Sequence, residues 1–492
     1  MGGLRAVACG AALLLGAGAA ADAQEDLRGE LERTRAEMRK LQEKVERLEG
    51  LVGGDGGAVA KEVEAYLAAR PPGSLGNVTA PNSRGLKFSG QVVLWVERFD
   101  DVYRPAEPTG DDVNDIARLR TAIQADFDVA EGLKARVEIR DARYYGSEPS
   151  TISQLQTTTG GTDLKQGWFE ATDLLGSGAD LRAGRQVLAY GDQRLVGHLE
   201  WHTLGRSFDA LRFARKWGDT QVDLFAARTV EGGPWLAGFA PPVADDGDSD
   251  LYGLYTATPK GLAGGDLDVY LLGFRSGAAA AGEAGGSGNT FFGTGGLRWS
   301  RAGEEWDGGF EGALQRGHLA GDPLSAFALH GHAGYTFADA RGKPRIGVEA
   351  NWASGDRDPG SGERQSFQTL FPTDHPLYGP MNLTTWKNLR EIALFLSLQP
   401  AERWTLRFEC HRFWVDQDAD AWYGIQGIPI RPGDPSYSNF LGTEVDLIAT
   451  HRVSERMRID VGASQFFDGG FVRDSGPGGD ALWLWTQFTV TF

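Results

Sequence analysis

The chain has little cysteine, no surplus of basic residues and, beyond its first two dozen residues, no long apolar run. Its only cysteines among 492 residues are Cys9 and Cys410, and Cys9 lies in a segment that we expect to be removed, so an internal disulfide cannot form. Lys and Arg number 49 against 67 Asp and Glu, a net charge of −18 that argues against nucleic acid as a partner. No apolar stretch in the rest of the sequence approaches the ~18–20 residues of a membrane helix. These absences exclude a disulfide scaffold and a helical membrane protein, but not a membrane β-barrel, whose strands alternate and average to mild polarity.

The N-terminal region predicts an export signal followed by a helix. Arg5 precedes a run of small apolar residues, and Ala21-Asp22-Ala23 offers a cleavage site, so we assign residues 1–23 to a signal peptide. Residues 24–52 place apolar side chains at alternating steps of three and four, with mostly charged residues between them. This spacing predicts a coiled-coil helix and self-association through it, with an amphipathic helix packed on its own domain as the alternative. Gly- and Pro-rich breaks then predict a short helix and linker over residues 53–85.

From residue 86 to residue 492 the period of the sequence changes to two, the period of β-strands. In residues 118–129 the odd positions are largely apolar and the even positions carry Arg, Gln and Asp; residues 133–140 alternate in the same way after a turn. A soluble sandwich also alternates, but aromatic residues near the strand ends and a last strand that ends on Phe492 favour a membrane barrel. We therefore predict an all-β, transmembrane antiparallel barrel over residues 86–492, preceded by the coiled-coil helix. Its expected location is the bacterial outer membrane, in contact with lipid, with Phe492 as the signal for the barrel-assembly machinery.

The residues that could carry chemistry are mainly arginines. The sequence contains no nucleophile elbow, no phosphate-binding loop and no HExxH helix, so we predict no enzymatic activity, no cofactor and no metal ion. Arginines at inward-facing strand positions would favour an anionic solute, because a guanidinium stays charged and binds carboxylates through two hydrogen bonds. Acidic residues on the same face leave a second possibility open, in which they pair with the arginines and stiffen the wall. The inward positions predicted from the alternation are Arg118, Arg120, Arg136, Arg140, Arg182, Arg212 and Arg407.

Several motifs resemble the alginate export family of outer-membrane porins. They are GRQVLAYGDQRL at residues 184–195, GRSFDALR at 205–212, ASGD at 353–356, FQTLFPTDH at 367–375 and LGTEVDL at 441–447. The resemblance implies a monomeric barrel of about 18 antiparallel strands, with loops that enter an arginine-lined lumen and an anionic polysaccharide as its cargo. By match to the first two motifs it also implies pathway roles for Arg185, Asp192, Arg194 and Arg206.

Taken together, these features predict an outer-membrane channel for passive passage of an anionic solute, an alginate-like polysaccharide or oligosaccharide. Two alternatives remain at the level of sequence. One is a general porin for the uptake of small anions or nutrients. The other is an exported, carbohydrate-binding β-sandwich that oligomerises through its coiled coil.

Overall fold

The computed structural model describes residues 85–100, 114–146, 161–229 and 249–492. The signal peptide, the coiled-coil helix and the linker predicted for the N-terminal region lie outside these described residues, apart from Gly85. None of the helices in the described part of the chain is long and apolar enough to cross a membrane.

Eighteen strands form one closed antiparallel sheet. Each strand pairs with its neighbours along the chain, and the last strand pairs with the first from Gln91 opposite Thr491 to Asp100 opposite Leu482. The closed sheet confirms the predicted barrel and its strand number, and it excludes the β-sandwich. The barrel strands are β1 (Leu86–Asp100), β2 (Asn114–Ala130), β3 (Leu133–Gly146), β4 (Gly161–Ala171), β5 (Ala179–Gln186), β6 (Phe208–Trp217), β7 (Thr220–Thr229), β8 (Ser249–Leu262), β9 (Gly265–Ala281), β10 (Ser287–Ala302), β11 (Trp306–Leu319), β12 (Asp322–Thr336), β13 (Arg345–Ala353), β14 (Leu389–Ala401), β15 (Trp404–Trp414), β18 (Phe440–Arg452), β19 (Met457–Asp468) and β20 (Ala481–Thr491).

Elements outside the barrel wall are short. A small hairpin of β16 (Trp422–Tyr423) and β17 (Pro429–Arg431) lies between β15 and β18, and helix α1 (Gly470–Asp474) lies between β19 and β20. Two single 3-10 turns, Leu174–Gly176 and Ile425–Gly427, complete the described elements.

The two ends of the barrel differ in the length of their connections. At the end where the chain terminates, which we call the turn end, β2 and β3 are joined by two residues and the longest connection, between β12 and β13, has eight. The opposite end, the loop end, carries longer segments, among them loop A (residues 187–207) between β5 and β6, loop B (residues 354–388) between β13 and β14, and residues 415–439 between β15 and β18. Short turns at one end and long loops at the other are typical of outer-membrane barrels.

The wall is apolar outside and mixed inside. On β18, Leu447 is 58% exposed, whereas its neighbours Asp446 and Ile448 are buried at 0% and 7%. The same reversal holds on β14, where Ile392 is exposed and Ala393 is buried. Because consecutive residues of a strand point to opposite faces, this pattern places the apolar side chains on the outer surface of a closed barrel. A continuous belt of exposed apolar side chains is favourable when it faces lipid.

The seam between β1 and β20 is closed by the last residue. Gly90 N–H donates to the carbonyl of Phe492 at 2.9 Å, and Phe492 N–H donates back to Gly90 at 3.0 Å. A Cβ at position 90 would lie 2.5 Å from the Phe492 ring and 2.6 Å from the Ala122 carbonyl oxygen. Glycine at this position therefore lets the C-terminal ring pack against the seam.

Candidate solute pathway

Loop A lies across the interior of the barrel. Near its start, Asp192 accepts a hydrogen bond from Arg298 on β10. Further along, both carboxylate oxygens of Glu200 accept hydrogen bonds from Arg140 on β3, each at 3.0 Å. Since β10 and β3 are seven strands apart around the wall, loop A narrows the lumen instead of projecting away from the barrel.

Loop B pairs with loop A inside the barrel. Val196 and Phe371 form a parallel β-bridge. Phe371 N–H donates to the Leu195 carbonyl at 2.7 Å, and Gly197 N–H donates to the Phe371 carbonyl at 2.8 Å. The constriction is therefore a two-stranded unit built from both loops, and this agrees with the expectation that loops enter the pore.

Two of the motif-derived arginines hold this unit in place. Arg206 is buried and donates to the carbonyls of Pro372 at 2.8 Å and Gly197 at 3.3 Å, so it binds both loops. Burial lowers the pKa of Arg206 to about 10, still well above neutrality. Arg194 donates to Glu349 on β13 at 2.9 Å and thereby fixes loop A to the wall. Both side chains are therefore anchors of the loops in this structure.

Glu200 of loop A forms ion pairs with several cationic side chains of the barrel wall. Besides Arg140, its carboxylate contacts Arg120 at 3.3 Å and Lys165 at 3.8 Å. Burial by itself raises the pKa of the Glu200 carboxyl, but Lys165, Arg140 and Arg120 outweigh it and lower the pKa to about 2. Glu200 is therefore ionised at neutral pH. Its role could not be predicted from the sequence, because nothing local to residue 200 shows which strand residues it contacts.

The seven arginines predicted from the strand alternation all contact a carboxylate. Arg118 lies under Trp95, with the guanidinium carbon 4.6 Å from the ring centroid, and pairs with Glu97. Arg120 and Arg140 bind Glu200, as described above. In the remaining four cases the partners are Asp126 for Arg136, Glu170 for Arg182, Asp223 for Arg212 and Glu409 for Arg407. The geometry thus shows the pairing that the sequence left open as the second possibility.

Arg185 is placed on the other face of the wall. Its backbone position on β5 pairs with Asp209 on β6, and the two side chains share hydrogen bonds at 2.9 and 3.0 Å. The adjacent outward positions on β6 are Leu211 and Phe213, both exposed and apolar, whereas Arg212 faces the interior. Arg185 therefore lies outside the lumen, which corrects the role implied by the motif. The strand period places residue 185 one step out of phase with the inward Arg182.

The loops leave a cavity of about 490 Å³ that reaches the inward faces of β1, β2, β15 and β18–β20. Three tryptophans, Trp95, Trp201 and Trp485, contribute to its lining together with Arg407 and Arg458. His375 of loop B stacks on Trp201 with ring centroids 3.8 Å apart, and burial, followed by the nearby Arg118 charge, lowers its pKa to about 3.

Two lining residues could have been found from the sequence. Arg458 shares the strand alternation with Asp460, and His375 ends the FQTLFPTDH motif. Trp485 faces inward like Trp483 on the last strand. The alternation of that strand does not show that the ring of Trp201 in loop A contacts Trp485.

A closed barrel with an apolar outer belt, and with loops folded into a charged interior, is an outer-membrane β-barrel channel. The chain belongs to the alginate export family, whose family model matches residues 85–479. The family assignment suggested by the motifs is therefore confirmed.

Solved structures share this architecture at low sequence identity. The outer membrane protein OpdK from Pseudomonas aeruginosa is 8% identical, with 82% of this chain and 99% of that chain covered and a TM-score of 0.54. OpdQ from the same organism is 10% identical, covers 83% and 98%, and has a TM-score of 0.52. OccD3 (OpdP), also from P. aeruginosa, is 9% identical, covers 83% and 91%, and has a TM-score of 0.51. At these identities the likeness concerns the fold alone. A comparison with curated protein sequences finds no match.

Proposed function

We propose that the protein gives passive passage to an anionic, alginate-like polysaccharide or oligosaccharide. The observation that carries this proposal is that two ion pairs in the cavity expose the arginine and bury the carboxylate. The side chains of Arg407 and Arg458 are 48% and 52% exposed, whereas those of their partners Glu409 and Asp460 are 5% and 11% exposed. A passing solute therefore meets guanidinium groups at these two positions, although each is paired.

The pairing prepares these arginines to bind a carboxylate and to release it. Each guanidinium is oriented by an acidic residue two positions along the same strand, with Nε of Arg407 2.7 Å from Glu409 and Nε of Arg458 2.7 Å from Asp460. An oriented, half-exposed guanidinium can donate further N–H groups to a uronate carboxylate. Because its charge is already partly compensated, binding stays weak enough for transport, which requires that solutes also leave.

The tryptophans of the cavity add little to the recognition of a sugar. Trp95, Trp201 and Trp485 line the same cavity as the two arginines, and their rings supply apolar surface beside the charged groups. Trp95 and Trp485 are only 1% and 6% exposed, and His375 stacks on one face of Trp201, so a passing sugar meets little of the ring faces. The preference for a uronic acid polymer over a neutral sugar therefore rests on the two half-exposed arginines.

Single-channel recording tests the proposal. We expect short uronate oligosaccharides to block the current through the purified channel, and neutral oligosaccharides of the same length to block it far less. The double substitution Arg407→Gln and Arg458→Gln is expected to weaken the uronate block about tenfold or more, since the loss of one charge-assisted hydrogen bond costs about 1.5–3 kcal/mol. Arg185→Gln is the matched control, because Arg185 is also paired with a carboxylate but lies on the outer face.

The same recordings separate the proposal from a general small-anion or nutrient porin. That alternative predicts anion preference in a salt gradient with no block by uronate oligosaccharides. Equal block by neutral and uronate oligosaccharides would contradict an anionic cargo altogether.

Two partner interactions follow from the sequence and are part of this proposal. Self-association through residues 24–52 predicts that deletion of this segment lowers the mass of the purified particle in light scattering. Recognition by the barrel-assembly machinery through Phe492, which lies at the turn end beside Gly90, predicts that deletion of Phe492 lowers the yield of membrane-inserted protein in cells more than it lowers refolding in detergent.

A further inference from the structure

A second group of charged residues is buried in the wall of the barrel, beside the cavity. We call it the wall cluster: Glu391 on β14, Glu409 and His411 on β15, and Glu444 and Asp446 on β18. All five side chains face the interior side of the sheet and none is more than 4% exposed as a residue. The register makes Glu409 the cross-strand partner of Asp446, and His411 that of Glu444.

The wall cluster lacks enough positive charge for its four carboxylates. The Oε1 atom of Glu409 is bound by Arg407, and Glu391 accepts hydrogen bonds from His411 and Asn351. Neither carboxylate oxygen of the fully buried Asp446 has a hydrogen-bond partner within the described chain. Burial of a carboxylate without a partner is costly, so this arrangement calls for a proton or a cation at Asp446.

The orientation of His411 points to a cation. Its Nδ1 atom lies 2.7 Å from Glu391 Oε1. Its Nε2 atom, which also has no hydrogen-bond partner in the part of the chain that is described, lies 3.6 Å from Glu409 Oε2 and 4.0 Å from Asp446 Oδ2. A metal-ligating histidine almost always donates its second ring N–H to a carboxylate or carbonyl, and Glu391 is placed to accept it.

The spacing of these three atoms also fits a metal ion. Ligand atoms about 2.1 Å from a tetrahedral ion lie about 3.4 Å from each other. The ligand atoms of Glu409, His411 and Asp446 all lie within 4.8 Å of one another. His411 Nε2 exceeds the tetrahedral separation by about 0.2 Å from Glu409 Oε2 and by about 0.6 Å from Asp446 Oδ2. Distances of 3.6 and 4.0 Å are too long for hydrogen bonds.

We propose that His411 Nε2, Glu409 Oε2 and Asp446 Oδ2 bind one divalent transition-metal cation of the zinc type. One imidazole and two carboxylates leave a coordination position open. Because Glu409 also lines the cavity, the ion can enter from the lumen, and a water or a solute oxygen can complete its coordination. The site ties β15 to β18 at the place where Met381 of loop B donates its backbone N–H to Glu444 at 2.8 Å, so the ion also stiffens the wall against which the constriction packs.

No metal ion was predicted from the sequence, because the three ligands are distributed over two strands. Glu409 and His411 are two residues apart on one strand, whereas Asp446 follows 35 residues later on the next strand of the sheet. Such a spacing matches no helical or loop metal motif, and only the register of β15 and β18 brings the three groups together.

Zinc binding to the full-length protein in detergent tests the proposal. The protein is stripped with a chelator, and Zn²⁺ is titrated against a chromophoric competitor, with metal content measured after gel filtration. We expect one zinc per chain, and an increase in the temperature at which the barrel loses its compact gel mobility. If the wild-type protein retains no zinc, this result alone overturns the proposal. Binding of Ca²⁺ or Mg²⁺ in preference to Zn²⁺ would overturn the assignment to a transition metal.

Isosteric variants locate the ion. Asp446→Asn and His411→Gln are expected to weaken zinc binding at least tenfold. Asp268→Asn is the matched control, because Asp268 is also a buried, inward carboxylate but lies on β9 and is held by Tyr255 and Arg298. Heat-modifiable gel migration shows which variants are folded. Unchanged zinc affinity in a folded Asp446→Asn protein would overturn the site and favour a protonated His411 bridging the carboxylates.

Discussion

The Glu200→Gln substitution tests how loop A controls the charge of the pathway. In the wild type one loop carboxylate compensates Arg120, Arg140 and Lys165, which are almost completely buried, and its own side chain is 31% exposed to the cavity. Glutamine keeps the shape of the side chain but removes the negative charge. The three cations then remain, with Arg140 still paired to Glu138 at 2.7 Å.

The expected result is a shift towards anions together with a loss of stability. The interaction energy between a unit charge and an ion 4 Å away in water is about 1 kcal/mol. Removal of the Glu200 charge should therefore change the local anion concentration about fivefold. Removal of one partner from a buried ion pair costs about 3–5 kcal/mol; we expect the lower end, about 3 kcal/mol, because Arg140 keeps Glu138. Reversal potentials across a salt gradient measure the first quantity, and urea titration of the barrel in lipid vesicles measures the second.

Asp209→Asn provides the matched control for this experiment. The Asp209 carboxylate also binds an arginine through two hydrogen bonds, at 2.9 and 3.0 Å, but on the outer face of the wall. We expect it to leave the reversal potential unchanged. If Glu200→Gln moves the reversal potential no more than Asp209→Asn does, loop A does not line the ion pathway and the assignment of the constriction is wrong.

Three further predictions concern the loops, the wall and pH. Thr373→Val removes the hydroxyl that accepts from the loop A backbone at 3.0 Å; we expect noisier open-channel currents, and quiet wild-type-like currents would argue against a rigid constriction. Leu447→Arg, on the outer face near the middle of β18, is expected to destabilise the barrel by about 2–4 kcal/mol in vesicles, whereas Thr450→Arg on the cavity side should be tolerated; equal losses would contradict the assignment of faces. Burial keeps the pKa of His375 at about 3, whereas an unfolded histidine titrates near 6.5. Between these values the unfolded state binds the extra proton, so His375 alone lowers the stability by about 1.4 kcal/mol for each unit that the pH falls below about 6. His375→Phe, which keeps the stacking on Trp201, should reduce this slope in urea titrations at several pH values, and an unchanged slope would show that His375 is not the titrating group.

The barrel was predictable from the sequence because its physical signal is local. Consecutive residues of a strand point to opposite faces, so the apolar Leu447 and the charged Asp446 indicate the lipid side and the interior side without knowledge of any other strand. The closure of the sheet is less local, but a terminal strand that ends on Phe492 indicated it. The strand number came from the family resemblance and not from the alternation.

The constriction could be predicted only in part, because its contacts join residues far apart in the chain. The alternation identified Arg120 and Arg140 as inward residues, but their partner Glu200 lies in loop A, 60 residues beyond Arg140. The motif match selected Arg194 and Arg206, which are anchors of the loops, and also Arg185, which faces outward. A motif match thus identifies residues that the fold requires, but it does not distinguish residues that line the solute pathway from residues that anchor the loops or face outward.

The charge that a solute meets depends on the exposure of each partner in a pair and not on the count of charges. The cavity lining contains three arginines and three carboxylates, so a count would predict no preference. In two of the pairs the arginine is half exposed and the carboxylate is nearly buried, whereas in the third, Arg120 with Glu200, the arginine is 5% exposed and the carboxylate 31%. The exposed member of a pair lies nearer to a passing solute than its buried partner does, so its charge dominates at contact distance. The two wall pairs therefore attract anions, and the loop carboxylate opposes them. Anion preference should therefore fall when Arg407 is neutralised and rise when Glu200 is neutralised, although both changes break one pair in the same cavity.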